Sequence, residues 1–128
     1  TWIQAIANNG VIYKPHIFKN QSETKTKKFL SDETVALIRQ GMIESCSPGG
    51  VAWPLFAFKA KGKEIKIACK TGTAQHGKEE DLPHAWITLF APAEKPEIIV
   101  TVLSESSGEG SNIAAPIAKK ILEEWFGR

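Results

Sequence analysis

The chain has 128 residues, 42% hydrophobic and 23% charged, with 16 basic and 14 acidic side chains for a formal net charge of +2. That is the composition of one ordinary globular core, and a chain this long hides roughly two thirds of the surface its unfolded form would expose. The interspersed charges exclude a strong footprint for nucleic acid or anionic lipid, and neither an apolar window long enough to span a membrane nor a signal segment is present.

In chain order, Thr1 to Asn9 reads as the tail of a helix, with Trp2, Ile3, Ile6 and Ala7 near one face, and Asn8-Asn9-Gly10 supplies a left-handed stop. With no start signal before it, this helix is read as cut short. Val11-Ile12-Tyr13 is extended up to Pro15, and Lys19 to Lys28, the one dense basic stretch, is a polar, solvated connector. Ser31 followed by Asp32 and Glu33 sets an N-cap and favourable acids for a second helix. In it, Val35, Ile38, Met42 and Ile43 form a stripe running to about Cys46, and Ser47-Pro48-Gly49-Gly50 ends it.

Val51 to Phe58 is apolar but broken by Pro54, so an irregular or edge segment is expected. Lys61-Gly62-Lys63 is a turn. Three strands follow, Glu64 to Gln75, Ala85 to Phe90 and Glu97 to Ser104, joined by a polar loop (His76 to Pro83) and the turn Pro92-Ala93-Glu94-Lys95-Pro96. The short connections predict an antiparallel meander. The third strand is apolar on both faces, so cover is expected on both sides. From about Ser111, Ile113, Ile117, Ile121, Leu122 and Trp125 repeat at helical spacing and predict a covering helix, with Pro116 tolerated near its start.

The two cysteines, Cys46 and Cys69, are too few for a disulfide scaffold and lack CxxC spacing; they read as small buried hydrophobes, with a pairing left open by the sequence. His16, His76 and His84 show no metal-ligand spacing. His76 reads as a solvent-exposed loop residue. His84 is expected to make a structural hydrogen bond to a neighbouring strand or loop, and Trp53, Trp86 and Trp125 to pack in or on the core.

Lys70-Thr71-Gly72-Thr73 carries the chemistry. Alone, Lys-Thr-Gly is a common tripeptide in which the lysine is solvated and the glycine marks a bulge. Near the end of a strand, however, alternation sends Lys70 away from Thr71 and Thr73 while Gly72 presents bare backbone. An ammonium, two hydroxyls and an unobstructed amide edge suit pairing with an extended peptide, attraction of a terminal carboxylate and donation of an N–H to a developing oxyanion.

Ala68-Cys69-Lys70-Thr71-Gly72-Thr73-Ala74-Gln75 resembles the A-G-K-T-G-T-A-Q box of class B penicillin-binding proteins, with Cys69 in place of the usual glycine. His84-Ala85-Trp86 through Phe90-Ala91-Pro92 is similar to the strand that follows the box in elongation-type members. Gly108-Glu109-Gly110-Ser111 leading to Ala114-Ala115-Pro116-Ile117-Ala118 resembles their approach to the C-terminal helix, and Ile6 to Val11 with Tyr13-Lys14-Pro15-His16 a segment well before the box. The resemblance runs in order along nearly all of residues 1–128. It implies the C-terminal portion of a transpeptidase domain: a mixed α/β fold of the α+β type, with helices on a three-stranded antiparallel sheet, part of the penicillin-binding transpeptidase and serine β-lactamase fold.

The resemblance further implies a serine D,D-transpeptidase that cross-links peptidoglycan stem peptides, is acylated by β-lactams and uses no cofactor or metal. Its serine motifs, S-x-x-K and S-x-N, would lie upstream; Ser22-Glu23-Thr24-Lys25 spells S-x-x-K but is read as chance, and no Ser-x-Asn triplet occurs. These 128 residues are therefore expected to be inactive alone. Lys70 would organise the proton network and attract the substrate carboxylate, Thr71 and Thr73 would bind that carboxylate, and the Thr73 N–H would complete the oxyanion hole beside Gly72. The resemblance places the protein on the extracytoplasmic face of the cell membrane, beside a membrane glycosyltransferase. A dimer through the open edge of the third strand is also expected. A β-lactamase or D,D-carboxypeptidase shares the box, and a non-catalytic β-lactam sensor or docking module is the reading from another class.

Overall fold

The computed structural model describes residues 2–18, 25–78 and 80–127. Helix α1 (Trp2–Ala7) ends where Asn9 and Gly10 take positive φ, and the Gly10 N–H closes it on the Ala5 carbonyl. Helix α2 (Asp32–Ser45) starts at Ser31, whose hydroxyl accepts from the Thr34 N–H, satisfying one of the first-turn donors that have no helical partner. Pro54 sits inside a single 3₁₀ turn, Trp53–Leu55. The Lys61-Gly62 turn joins two very short strands, β1 (Lys59–Ala60) and β2 (Lys63–Glu64). The strand expected from Glu64 to Gln75 is thus two strands, Glu64 pairing back on Lys59 and β3 running from Ala68 to Ala74.

Strands β3, β4 (His84–Ala91) and β5 (Ile98–Ser104) form the antiparallel meander, in the order β3-β4-β5. Register fixes the two faces. Cys69, Leu89 and Val100 lie in one row, and Ala68, Phe90 and Ile99 in the next, pointing the opposite way. The first face carries the larger core, where Ile87, Leu89 and Val102 meet Leu55, Ala114, Ala118 and Leu122. On the second, α1 and α2 bring Ile6, Ala7 and Met42 onto Ala68 and Phe90.

Helix α3 (Ala115–Gly127) follows a π turn at Gly110–Ala114 and covers the first face with only part of the predicted stripe, Leu122 in the core and Ile113 packed against it. It buries Ala115, Ala118 and Leu122, leaving Ile117, Ile121 and Trp125 about 40% exposed. The small alanines let the helix lie close to the sheet, which turns the bulky positions outward. Cover of β5 is likewise one-sided: Ile99 and Leu103, on the second face, stay partly exposed, and Trp53 and Trp86 are surface residues, contrary to the sequence reading. The outer edge of β5 carries no further strand among the described residues.

Arg39 of α2 ties the two helices of the second face together. Its Nη2 donates to the Ile6 carbonyl at 2.8 Å, the Ala7 carbonyl at 3.3 Å and the Asn9 Oδ1 at 3.0 Å, capping the end of α1. Its guanidinium also lies 5.7 Å from the centre of the Phe90 ring.

Candidate functional site

Strand β3 is an edge strand, and its edge is divided. Helix α2 packs on its beginning: Met42 reaches Ala68 from one face, while Cys46, the C-cap of α2, is joined to Cys69 by a disulfide on the other. Ala68 and Cys69 are fully buried. From Lys70 onward the strand emerges: Lys70 and Thr73 are exposed, Thr71, Gly72 and Ala74 half-buried. β4 pairs one side of this stretch in continuous register, Lys70 opposite Thr88 through Ala74 opposite His84. Among the described residues no strand pairs the other side, so alternate N–H and C=O groups face an open edge.

The side chains divide as alternation predicts. Lys70 and Gly72 lie on the second face, in rows with Thr88 and Thr101 and with Trp86 and Leu103, while Thr71 and Thr73 lie on the first. The Lys70 ammonium donates to the Thr71 carbonyl at 2.5 Å. The Thr88 and Thr101 hydroxyls are hydrogen-bonded at 2.9 Å, which continues the polar row across the sheet.

Two glycines, Gly72 and Gly110, allow close packing here. A Cβ on Gly72 would stand 3.3 Å from the Trp86 Cβ. From elsewhere in the chain comes Gly110, the first residue of the π turn: a Cβ on it would stand 2.2 Å from the Trp86 carbonyl oxygen and 2.6 Å from that of Gly72. Backbone packs on backbone here, seating the start of the C-terminal helical segment directly on the glycine of the box.

The connector before Gly110 is held by a cluster at the far end of the strand pair. The Ser106 N–H donates to His84 Nδ1 at 2.9 Å, and the Ser107 and Gly108 N–H groups both donate to the Pro83 carbonyl. His76 stacks on His84 with ring centres 3.8 Å apart, and its Nε2 lies 2.9 Å from both the Leu82 carbonyl and the Ser106 hydroxyl. Because the carbonyl can only accept, that nitrogen carries the proton; His84 Nδ1, accepting from an amide, does not. The structural bond expected of His84 is present. His76, read as a free loop residue, is instead half-buried against it.

Sequence reasoning found the box and its strand but missed three partners: the Cys46–Cys69 bond, the stacked histidines and Gly110. Only Gly110 left a signal, in Gly108-Glu109-Gly110. The other pairings join residues 23 and 8 positions apart through the fold. The S-x-x-K tetrapeptide at Ser22 lies outside the described residues except for Lys25, which bridges to Tyr13 and holds its ammonium 6.0 Å from that ring. No cluster of three or more metal-ligating side chains occurs among the described residues, and none of their helices is long and apolar enough to cross a membrane.

Residues 1–123 match the family model described as the penicillin-binding protein transpeptidase domain. The chain is 44% identical to the peptidoglycan D,D-transpeptidase PbpA of Mycobacterium tuberculosis over 92% of its own length, but spans only 26% of that relative. Among solved structures it is similar to penicillin-binding protein A of M. tuberculosis in its ceftriaxone acyl-enzyme complex (TM-score 0.71, 27% identity, 93% of this chain and 29% of that one). It is also similar to Helicobacter pylori PBP2 in complex with MreC (TM-score 0.73, 33% identity, 94% and 23%).

Proposed function

Because the chain belongs to the penicillin-binding protein transpeptidase family, we propose that residues 1–128 supply the substrate-binding wall of a serine D,D-transpeptidase acting on peptidoglycan stem peptides. The observation that carries this reading is the divided edge of β3, covered through Cys69 and open from Lys70 to Ala74. An extended donor peptide pairs with that open edge through its main chain. Thr71 and Thr73 hydrogen-bond its terminal carboxylate, Lys70 attracts that charge and supports the proton network around the nucleophile, and the Thr73 N–H, beside the bare backbone of Gly72, donates to the tetrahedral oxyanion.

The nucleophile is a serine hydroxyl from another part of the parent protein. It attacks the carbonyl of the penultimate D-alanine, its proton passes to a neighbouring base, and the terminal D-alanine leaves with its amine reprotonated. An amine of a second stem then displaces the serine, forming the cross-link and restoring the hydroxyl. A β-lactam imitates the donor, and ring opening leaves the acyl group on the serine. The parent works at the extracytoplasmic face of the cell membrane beside a glycosyltransferase.

The 128 residues hold no Ser-x-Asn triplet, and their one S-x-x-K lies in the polar connector, so on this reading they form no acyl-enzyme by themselves. The test uses a fluorescent penicillin and a denaturing gel. The chain alone gives no covalent band; the parent protein gives one, and Lys70→Ala weakens it at least a hundredfold in rate. A band on residues 1–128 alone, or an undiminished rate in the Lys70→Ala parent, overturns the assignment.

A further inference from the structure

The disulfide sits where the edge of β3 changes character. Cys69 is the last buried residue of the strand and Lys70 the first exposed one. Cys46 is the C-cap of α2, the element that covers the edge up to that point, and immediately beyond it Ser47-Pro48-Gly49-Gly50 turns the chain away. The bond, with Cα atoms 5.8 Å apart, therefore fixes the last covered residue of the strand to the last turn of the covering helix. Beside the bond, the Ser45 hydroxyl of α2 lies 3.9 Å from the Cys69 sulfur, and the contact of Met42 with Ala68 is apolar and can slide.

We propose that the Cys46–Cys69 disulfide is a positioning cross-link for the substrate strand, and that opening it lowers the acylation rate without unfolding the domain. The inference rests on the reading of Lys70 to Thr73 given above. The chemistry is a two-electron exchange with a dithiol: each protein sulfur gains one electron and one proton to become a thiol, and the reductant closes to its own disulfide. A cavity of about 130 Å³ is lined by Cys46 together with Leu55, Phe58 and Ile65, and of the two cysteines only Cys46 keeps any exposure, 5% against 0% for Cys69. With the bond open, α2 is free to shift along the strand, and the backbone from Lys70 onward loses its fixed starting point.

The experiment uses the longest natural chain that carries these residues, in three forms: air-oxidised, reduced with dithiothreitol, and Cys46→Ala/Cys69→Ala. Iodoacetamide trapping and intact mass come first: two carbamidomethyl groups should be added only after reduction, and two free thiols in the native oxidised protein would overturn the proposal. Acylation by a fluorescent penicillin is then timed at a temperature where melting curves show each form folded, and amide exchange is followed at residues 70–74 and 85–91. Expected are an acylation rate at least tenfold lower in the reduced and double-alanine forms and faster exchange confined to 70–74. Equal rates and equal exchange in all forms would sink the idea, as would a uniform loss of protection across both strands, which marks a merely structural bond. Should the double variant fail to fold, the reduced wild type carries the same comparison. If even the oxidised protein is not acylated, the functional reading has failed, and the exchange contrast at 70–74 still decides whether the bond positions the strand.

Discussion

Substituting Gly110 by alanine tests whether the C-terminal helical segment is seated on strand β3. The added Cβ would stand 2.2 Å from the Trp86 oxygen and 2.6 Å from the Gly72 oxygen, with the Gly72 nitrogen at 3.1 Å. An ordinary carbon–oxygen contact is about 3.3 Å, so roughly 1 Å of movement is needed, and the obstructing atoms are backbone of two paired strands with no rotamer to yield. Overpacking of this kind costs about 3 kcal/mol, at the upper end of its usual range. For a domain of this size that lowers the melting temperature by about 10 °C. The control is Gly41→Ala, on the exposed side of α2 with nothing within 4 Å of its Cβ position; relief of helix-interior glycine should stabilise it by about 0.5–1 kcal/mol. Thermal melting by circular dichroism reads both. Opposite signs are expected, with fast amide exchange at Gly72 and Trp86 in the Gly110 variant, and a Gly110→Ala melting point within about 2 °C of wild type would refute the backbone-on-backbone contact.

The assignment of the buried face of α3 is checked by urea denaturation: Leu122→Ala should cost about 2–5 kcal/mol, whereas Ile121→Ala, one residue earlier but 40% exposed, should cost about 1 or less. Arg39→Ala removes the donor shared by Ile6, Ala7 and Asn9 and should destabilise by about 2 kcal/mol, the usual range for hydrogen bonds to a charged group; a change near zero would show that water replaces it. His84→Ala deletes the acceptor of the Ser106 amide and one ring of the stack, with an expected loss of about 1–2 kcal/mol and exchange at Ser106 accelerated ahead of the strands.

Local signals were legible in the sequence because their physics is local. The Ser31 cap, the Asn9-Gly10 stop, the three strands and the alternation that separates Lys70 from Thr71 each depend on a few neighbouring residues, and each is present in the fold. The ordered motifs around Lys70 also led to the family, and two of them meet in the fold where Gly110 packs on Gly72. What sequence missed depends on distance in the chain. Leu122 was in the expected stripe, but Ile117, Ile121 and Trp125 satisfy helical periodicity as well as Ala115 and Ala118 do, and hydrophobicity alone favours the bulkier set. Close approach to a sheet favours the smaller one. Trp53 and Trp86 were assigned to packing by their size, although size says nothing of which face an element turns outward. The Cys46–Cys69 pairing needed a distance, and the His76–His84 stack a loop closure, that no spacing rule supplies.

The cover that α2 lays over the beginning of β3 also acts as a ruler. With the strand closed through Cys69 and its regular pairing ending at Ala74, five residues of edge remain available. At about 3.3 Å of rise per residue, that edge is about 13 Å from its first Cα to its last. A partner chain lying along it registers over no more than about five residues before it meets the helix at one end or the loop bearing His76 at the other. On the proposed function, length as well as charge thus decides what fits, and a longer peptide must bend away from the sheet on the side where α2 ends.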